Sequence, residues 1–293
     1  MAAELVLQIR SQLGESALWA PQEQRLYWLD LMGPALHRFD PETRRNEAWE
    51  LPLGTPLGGV VRTPRGLLLA APEGLFRCDF DGRHLELWTN PDARPDDTRF
   101  NDCKVDRSGR LWLASKHVEE REATGQLYRV MPDGSSVVVD QGFTCGNGPA
   151  ISPDGRRLYL ADSTARRIYA YDLDPGSGAA SHRRVFAEFS PEDGEPDGMT
   201  VDTEGGLWVC HWGGWRVTRF LPDGQRDRTI ALPVPQVTSC SFGGEEFRTL
   251  FITTASVDMA AADAARAPLA GSLFHVDVGF AGLEEPLFSA HGA

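Results

Sequence analysis

Cysteine is scarce in this chain. Five occur in 293 residues (Cys78, Cys103, Cys145, Cys210 and Cys240), an odd and widely spaced set with no Cys-x-x-Cys. Such a set is not a disulfide framework, and with no Asn-x-Ser/Thr acceptor present it predicts reduced thiols in a cytoplasmic protein. Long hydrophobic runs are missing too: nothing approaches the roughly 18 apolar residues of a membrane span, and residues 1–10 lack a basic region followed by an apolar stretch. The expectation is an unexported, soluble protein with no membrane partner. Positive charge is in deficit, with Lys+Arg 29 against Asp+Glu 42 and a formal net charge of −13. Phosphate backbones need a concentrated basic surface, so no nucleic-acid partner is expected. Also absent are Gly-x-Ser-x-Gly, His-Glu-x-x-His, Gly-x-Gly-x-x-Gly and a phosphate-binding loop, which removes the hydrolase, zincin and nucleotide signatures they carry.

Turn residues are plentiful. Gly 30 and Pro 20 divide the chain into short alternating runs, and no helical periodicity extends beyond about a dozen residues. The pattern is all-β, and it repeats. A Leu followed by a bulky apolar residue recurs at Leu26-Tyr27, Leu67-Leu68, Leu111-Trp112, Leu158-Tyr159, Leu207-Trp208 and Leu250-Phe251, with spacings of 41, 44, 47, 49 and 43 residues. That period is the length of a four-stranded propeller blade. Asp106-Arg-Ser-Gly109, Pro153-Asp-Gly155 and Asp202-Thr-Glu-Gly205 supply tight turns before three of the landmarks. The chain therefore reads as one domain over 1–293, a six-bladed β-propeller with four-stranded blades around a central channel. Residues 4–10 are the candidate strand that closes the ring, and 256–270, rich in Ala, should form a loop with a short helix.

Register along the repeat picks out a site. Ten or eleven residues before the landmark Leu lie Glu15, Asn101, Asn147 and Asp197; the remaining two slots fall near Leu57-Gly58 and at Cys240. Equivalent positions meet at one mouth of the channel, so two carboxylates and two amides should converge. Carboxylates crowded in low dielectric repel unless a cation lies between them. Oxygen-only donors favour a hard ion such as Ca²⁺, Mg²⁺ or Mn²⁺.

The blocks Leu13-Gly-Glu-Ser-Ala-Leu-Trp19, Arg99-Phe-Asn-Asp102, Gly146-Asn-Gly-Pro149 with Ser152-Pro-Asp-Gly155, and Pro196-Asp-Gly-Met199 resemble the motifs of the SMP-30/gluconolactonase family. Trp212-Gly-Gly214, residues 233–238, Phe242-Gly-Gly244 and Thr253-Thr-Ala255 are similar to its xylonolactonase and arabinolactonase branch. The resemblance implies a six-bladed propeller that hydrolyses aldonic acid lactones with one divalent metal ion (Ca, Mg, Mn, Zn or Fe(II)). Carried over by residue, it implies Glu15, Asn147 and Asp197 as metal ligands, Arg99 and Asn101 as substrate contacts, and Asp197 as general base.

The chain departs from the family at Ala114-Ser-Lys-His117, where relatives have Gly-Thr-Met-His. Lys116, and with it His117, becomes a candidate contact for an extra carboxylate or hydroxyl of the lactone. His211 also follows a channel strand, and Cys145 and Cys240 adjoin ligand positions, so sensitivity to thiol reagents is expected. The partner is a small sugar lactone, and the chain is read as a monomer or small homo-oligomer. Two other readings stay open: an arylesterase or organophosphate hydrolase of the same propeller type, and a non-catalytic metal-binding propeller.

Overall fold

The computed structural model describes residues 2–92 and 97–289. Strand β1 (Glu4–Leu7) precedes six antiparallel sheets of four strands. The first blade is β2 (Gly14–Ala20), β3 (Arg25–Asp30), β4 (Ala35–Phe39) and β5 (Asn46–Glu50), and the second is β6 (Gly59–Thr63), β7 (Gly66–Ala71), β8 (Gly74–Cys78) and β9 (Glu86–Thr89). The third comprises β10 (Thr98–Val105), β11 (Leu111–His117), β12 (Gly125–Val130) and β13 (Ser136–Phe143). The fourth comprises β14 (Gly146–Ile151), β15 (Arg157–Asp162), β16 (Arg167–Leu173) and β17 (Ala180–Glu188). The fifth holds β18 (Glu195–Val201), β19 (Leu207–Trp212), β20 (Arg216–Phe220) and β21 (Arg226–Ala231). The sixth holds β22 (Val237–Gly243), β23 (Thr249–Thr254), β24 (Leu273–Asp277) and, as its outermost strand, β1. The fold is a six-bladed β-propeller.

Ring closure follows the sequence reading, with Glu4 opposite His275 and Leu5 opposite Phe274. The strand ends at Leu7 rather than Arg10. Its register slips between Leu5 and Leu7, and the ladder gives way to a side-chain clasp in which Ser272 Oγ donates to Ile9 O at 2.9 Å. The Ala-rich stretch contains helix α1 (Ala261–Arg266).

The turn aspartates do more than turn the chain. Asp106 Oδ1 accepts the Ser108 N–H at 2.8 Å, while its Oδ2 takes Trp112 Nε1 at 3.0 Å and Arg110 Nε at 2.7 Å. Two blades on, Asp202 repeats this with Glu204 N, Trp208 Nε1 and Arg219 Nε. One carboxylate thereby takes both the buried indole N–H and the Nε–H of the guanidinium, whose other donors go elsewhere. The core lies between blades: Tyr27, Leu29 and Leu36 pack on Val60, Leu67 and Leu69, and equivalent layers recur around the ring.

At the channel end beside the Lys104–Glu285 pair, the chain returns after the last blade as a strap. Gly282 bridges to Asp202, Arg62 holds Glu284 Oε1 at 3.0 Å and Glu285 O at 3.1 Å, and Lys104 Nζ meets Glu285 Oε1 at 3.3 Å. Phe288 is fully buried against Val61, Leu68 and Leu111.

Candidate active site

Strict alternation along an inner strand would send every second side chain away from the channel. Five of the six inner strands escape it through register breaks at matching places: after Glu15 in β2, between Phe100 and Asp102 in β10, after Asn147 in β14, after Pro196 in β18 and after Val237 in β22. A bulge of this kind re-aims side chains at a sheet end. Ser16, just past the first break, adopts φ +54°, a left-handed conformation that is costly for a residue with a Cβ.

The re-aimed residues share one cavity of about 300 Å³. Glu15, Asn147, Asp197 and Asn101 line it, together with Arg99, Lys116, Glu120 and Glu195, while Leu13, Leu31, Met32, Trp212 and Val257 form an apolar flank. Six of the seven expected site residues are thus brought together. His117 is not. It ends β11 with Nδ1 turned to accept the Glu119 N–H at 3.1 Å, serving the turn rather than the cavity. His211 is also outside: it is fully buried, with Nδ1 at 2.8 Å from Asp193 O and its ring against Phe189.

Asn147 is the hub of the polar group. Its Nδ2 donates to Asp197 Oδ1 and to Ser163 Oγ (3.3 Å), and its Oδ1 accepts the Gly148 N–H at 2.8 Å. Gly148 has φ +48°, and a Cβ there would stand 2.7 Å from Asp197 O; only glycine lets β14 and β18 approach this closely. Asn101 Nδ2 donates to Gly146 O at 3.0 Å, fixing its side chain across the gap between the third and fourth blades.

Burial pushes the Glu15 carboxyl well above the usual carboxylate range, and the charges of Asp197 and Asp102 push it further. Asp197 is raised likewise, by burial and then by Asp102, against the opposing hydrogen bond from Asn147. Asp102 is the residue that sequence reasoning missed. It lies one step below the cavity, accepting its neighbour Cys103 N at 2.7 Å and Gly148 N at 2.9 Å, and burial lifts it to about 6 although Lys104 pulls the other way. Cys145 lines the cavity, but burial pushes its thiol up to about 12. Cys240 packs in the core between the fifth and sixth blades. A thiol held in its neutral form is a poor nucleophile, so the geometry around Cys145 works against the reagent sensitivity expected of it.

Two buried carboxylates forced toward protonation, with the Asn147 amide hydrogen-bonded to one of them, are oxygen donors of the kind a hard divalent cation takes. Among the described residues no three His, Cys, Asp or Glu side chains converge as a metal cluster, so any cation here needs the amide as well.

Residues 13–256 match the family model described as SMP-30/gluconolactonase/LRE-like region. The chain belongs to this family. Its relatives include the pentonolactonase XacC of Haloferax volcanii, 35% identical with 97% of each chain covered. The 6-deoxy-6-sulfogluconolactonase of Pseudomonas putida is also 35% identical, over 95% of this chain and 96% of that one. Among solved structures, regucalcin, a calcium-binding protein of Agrobacterium tumefaciens, superposes with a TM-score of 0.92 at 24% identity, over 98% and 97% of the two chains. That likeness supports the fold of the family.

Proposed function

We propose that the chain is a hydrolase that opens a sugar-acid lactone to the free acid, using one divalent cation held by Glu15, Asn147 and Asp197. The observation that carries this is the pair of buried carboxylates, Glu15 and Asp197, lining one cavity with Asn147 hydrogen-bonded to Asp197 and with Arg99 and Asn101 also in its lining. The relatives' names cover pentonic and sulfonated hexonic lactones, so the reading stops at sugar lactones as a class.

A lactone is an ester in a ring, and attack by water builds negative charge on its carbonyl oxygen. A bound hard cation supplies positive charge to polarise that carbonyl and to ease ionisation of water. Asn101 binds a ring hydroxyl and Arg99 grips the substrate farther from the carboxylates, so that the carbonyl carbon is held toward them and attack becomes a positioned event. Asp197 takes the proton of the attacking water at Oδ2, the oxygen that Asn147 does not hold, and returns it to the ring oxygen as the acyl C–O bond of the ring breaks, giving the open-chain acid. Leu13, Leu31 and Trp212 exclude water from the opposite face.

The test is proton release from a panel of pentono- and hexonolactones by metal-stripped protein, with and without added Ca²⁺, Mg²⁺, Mn²⁺, Zn²⁺ or Fe²⁺. Cation-dependent acceleration is expected, with kcat reduced about a hundredfold or more in Asp197→Asn even at saturating cation. Aryl esters or phosphotriesters turned over faster than every lactone would overturn the assignment.

A further inference from the structure

Arg99 and Lys116 are direct cross-strand partners in the β10–β11 ladder and both line the cavity. Like charges placed opposite one another on adjacent strands repel, so this wall is an unfavourable arrangement unless an anion joins it. The chain supplies one anion. Lys116 Nζ pairs with Glu120 Oε1, and the lysine is nearly buried while the glutamate side chain is 38% exposed at the rim. Glu195, the other carboxylate near this wall, is held by Arg166 at 3.1 Å. Asp258 is exposed, on the loop that follows β23.

Arg99 is left over. No ion pair holds it among the described residues, and its Nη1 is buried without a hydrogen-bond partner. A partly buried guanidinium with one buried donor unpaired costs stability, and its planar donors suit a carboxylate or sulfonate.

Building on the lactonase reading, we propose that Arg99 and Lys116 form a subsite for an anionic substituent, so that the preferred substrate is a lactone carrying a carboxylate or sulfonate remote from the ring carbonyl. Lys116 determines this preference. Glu120 is its resident counter-ion, and the substrate's anion replaces it. The exchange is favourable because Glu120 returns to water from an already half-open position, while Arg99 gains the partner it lacks.

The experiment compares a hexonolactone bearing a terminal hydroxymethyl with the lactone bearing a terminal carboxylate, using full-length protein with its cation restored. The acidic lactone is expected to have a kcat/KM at least tenfold higher, with a steeper loss in salt. Lys116→Met should lower the acidic-to-neutral ratio at least tenfold, Lys116→Arg should restore most of it, and Glu120→Gln should raise it. Calorimetry gives a second measurement without turnover: an aldaric acid, with two carboxylates, should bind more tightly than the matching aldonic acid, and Lys116→Met should remove the difference. A neutral preference, or equal losses on both lactones in Lys116→Met, overturns the subsite and leaves the lactonase standing. If neither lactone opens, the lactonase reading fails, and the calorimetric comparison alone decides the anionic subsite. Should Lys116→Met not fold, the Lys116→Arg and Glu120→Gln ratios carry the same decision.

Discussion

Glu15 is strained electrostatically by burial and then by the charges of Asp197 and Asp102, and Asp197 by burial and then by Asp102. A carboxyl group whose folded pKa is raised loses stability for the protein as pH climbs from the unfolded value near 4 toward the folded one, because the charged form is disfavoured only in the native state. Metal-free protein should therefore be more stable at mildly acidic than at neutral pH, and added divalent cation should reverse the trend. Replacing Glu15 by Gln removes one of the repelling charges. In the metal-free state it is expected to raise the melting temperature by about 2 °C or more, while abolishing the stabilisation by cation; thermal melts at pH 5 and 7.5 with and without Ca²⁺ check both signs. Cys145 gives a second residue-scale outcome: with its thiol buried and pushed up to about 12, an aromatic disulfide reagent should leave it unmodified until the protein is unfolded. Glu15, Asn101, Asn147 and Asp197 were legible in the sequence because a repeat places equivalent positions at one mouth. Asp102 was not, since alternation allows only one of two neighbours to face the channel, and the break between Phe100 and Asp102 that admits both is a backbone irregularity no pattern of residue types announces. His117 failed for a similar reason, its ring being captured by the turn that follows it.

The blades were legible as elements because their turns carry chemistry visible in the sequence. Asp106 and Asp202 sit where the Asp-x-x-Gly pattern predicts a turn, with Gly109 at φ +79° and Gly205 at φ +83°. The further duty of each carboxylate, to the indole N–H of the Trp six residues on, depends on how that Trp folds back into the core and was out of reach of the pattern. That duty makes the aspartates costly to remove. Asp202 is fully buried and its Oδ2 holds both Trp208 Nε1 at 2.8 Å and Arg219 Nε at 2.7 Å, the arginine itself being only 3% exposed. Asp202→Ala leaves a buried cation with one fewer partner and a buried donor with none, which should cost about 3–5 kcal/mol. Urea denaturation of the purified variant measures it, and a loss below about 1 kcal/mol would show that the cluster behaves like a surface pair. Lactone turnover at a temperature where the variant remains folded should be little changed, because the cluster lies in the interblade core outside the cavity.

A closed ring distributes its stability differently from an open stack, since each blade rests on two neighbours and the last junction joins residues far apart in the chain. Here that junction is short. Strand β1 contributes four residues to the sixth blade, Val6 and Leu7 pack on the cluster of Trp19, Trp28 and Phe251, and Ala2 bridges to Ala231 of the fifth blade. Residues 4–10 were recognisable as a closing strand from the architecture alone, because a propeller whose first blade begins at Gly14 leaves the preceding segment free to complete the last. Removing residues 1–9 would strip β24 of its outer partner and expose a row of unpaired backbone groups, the arrangement that drives edge-to-edge association. None of the cavity residues lies within residues 1–9, so the truncated protein should retain the site's geometry when folded. The expected outcome is a melting temperature lowered by several degrees, concentration-dependent aggregation on heating, and near-normal cation-dependent turnover at low temperature. A melting curve and light scattering at two protein concentrations test this together; an unchanged melting temperature would mean that the interblade contacts and the strap at Arg62, Lys104 and Phe288 hold the ring without the strand.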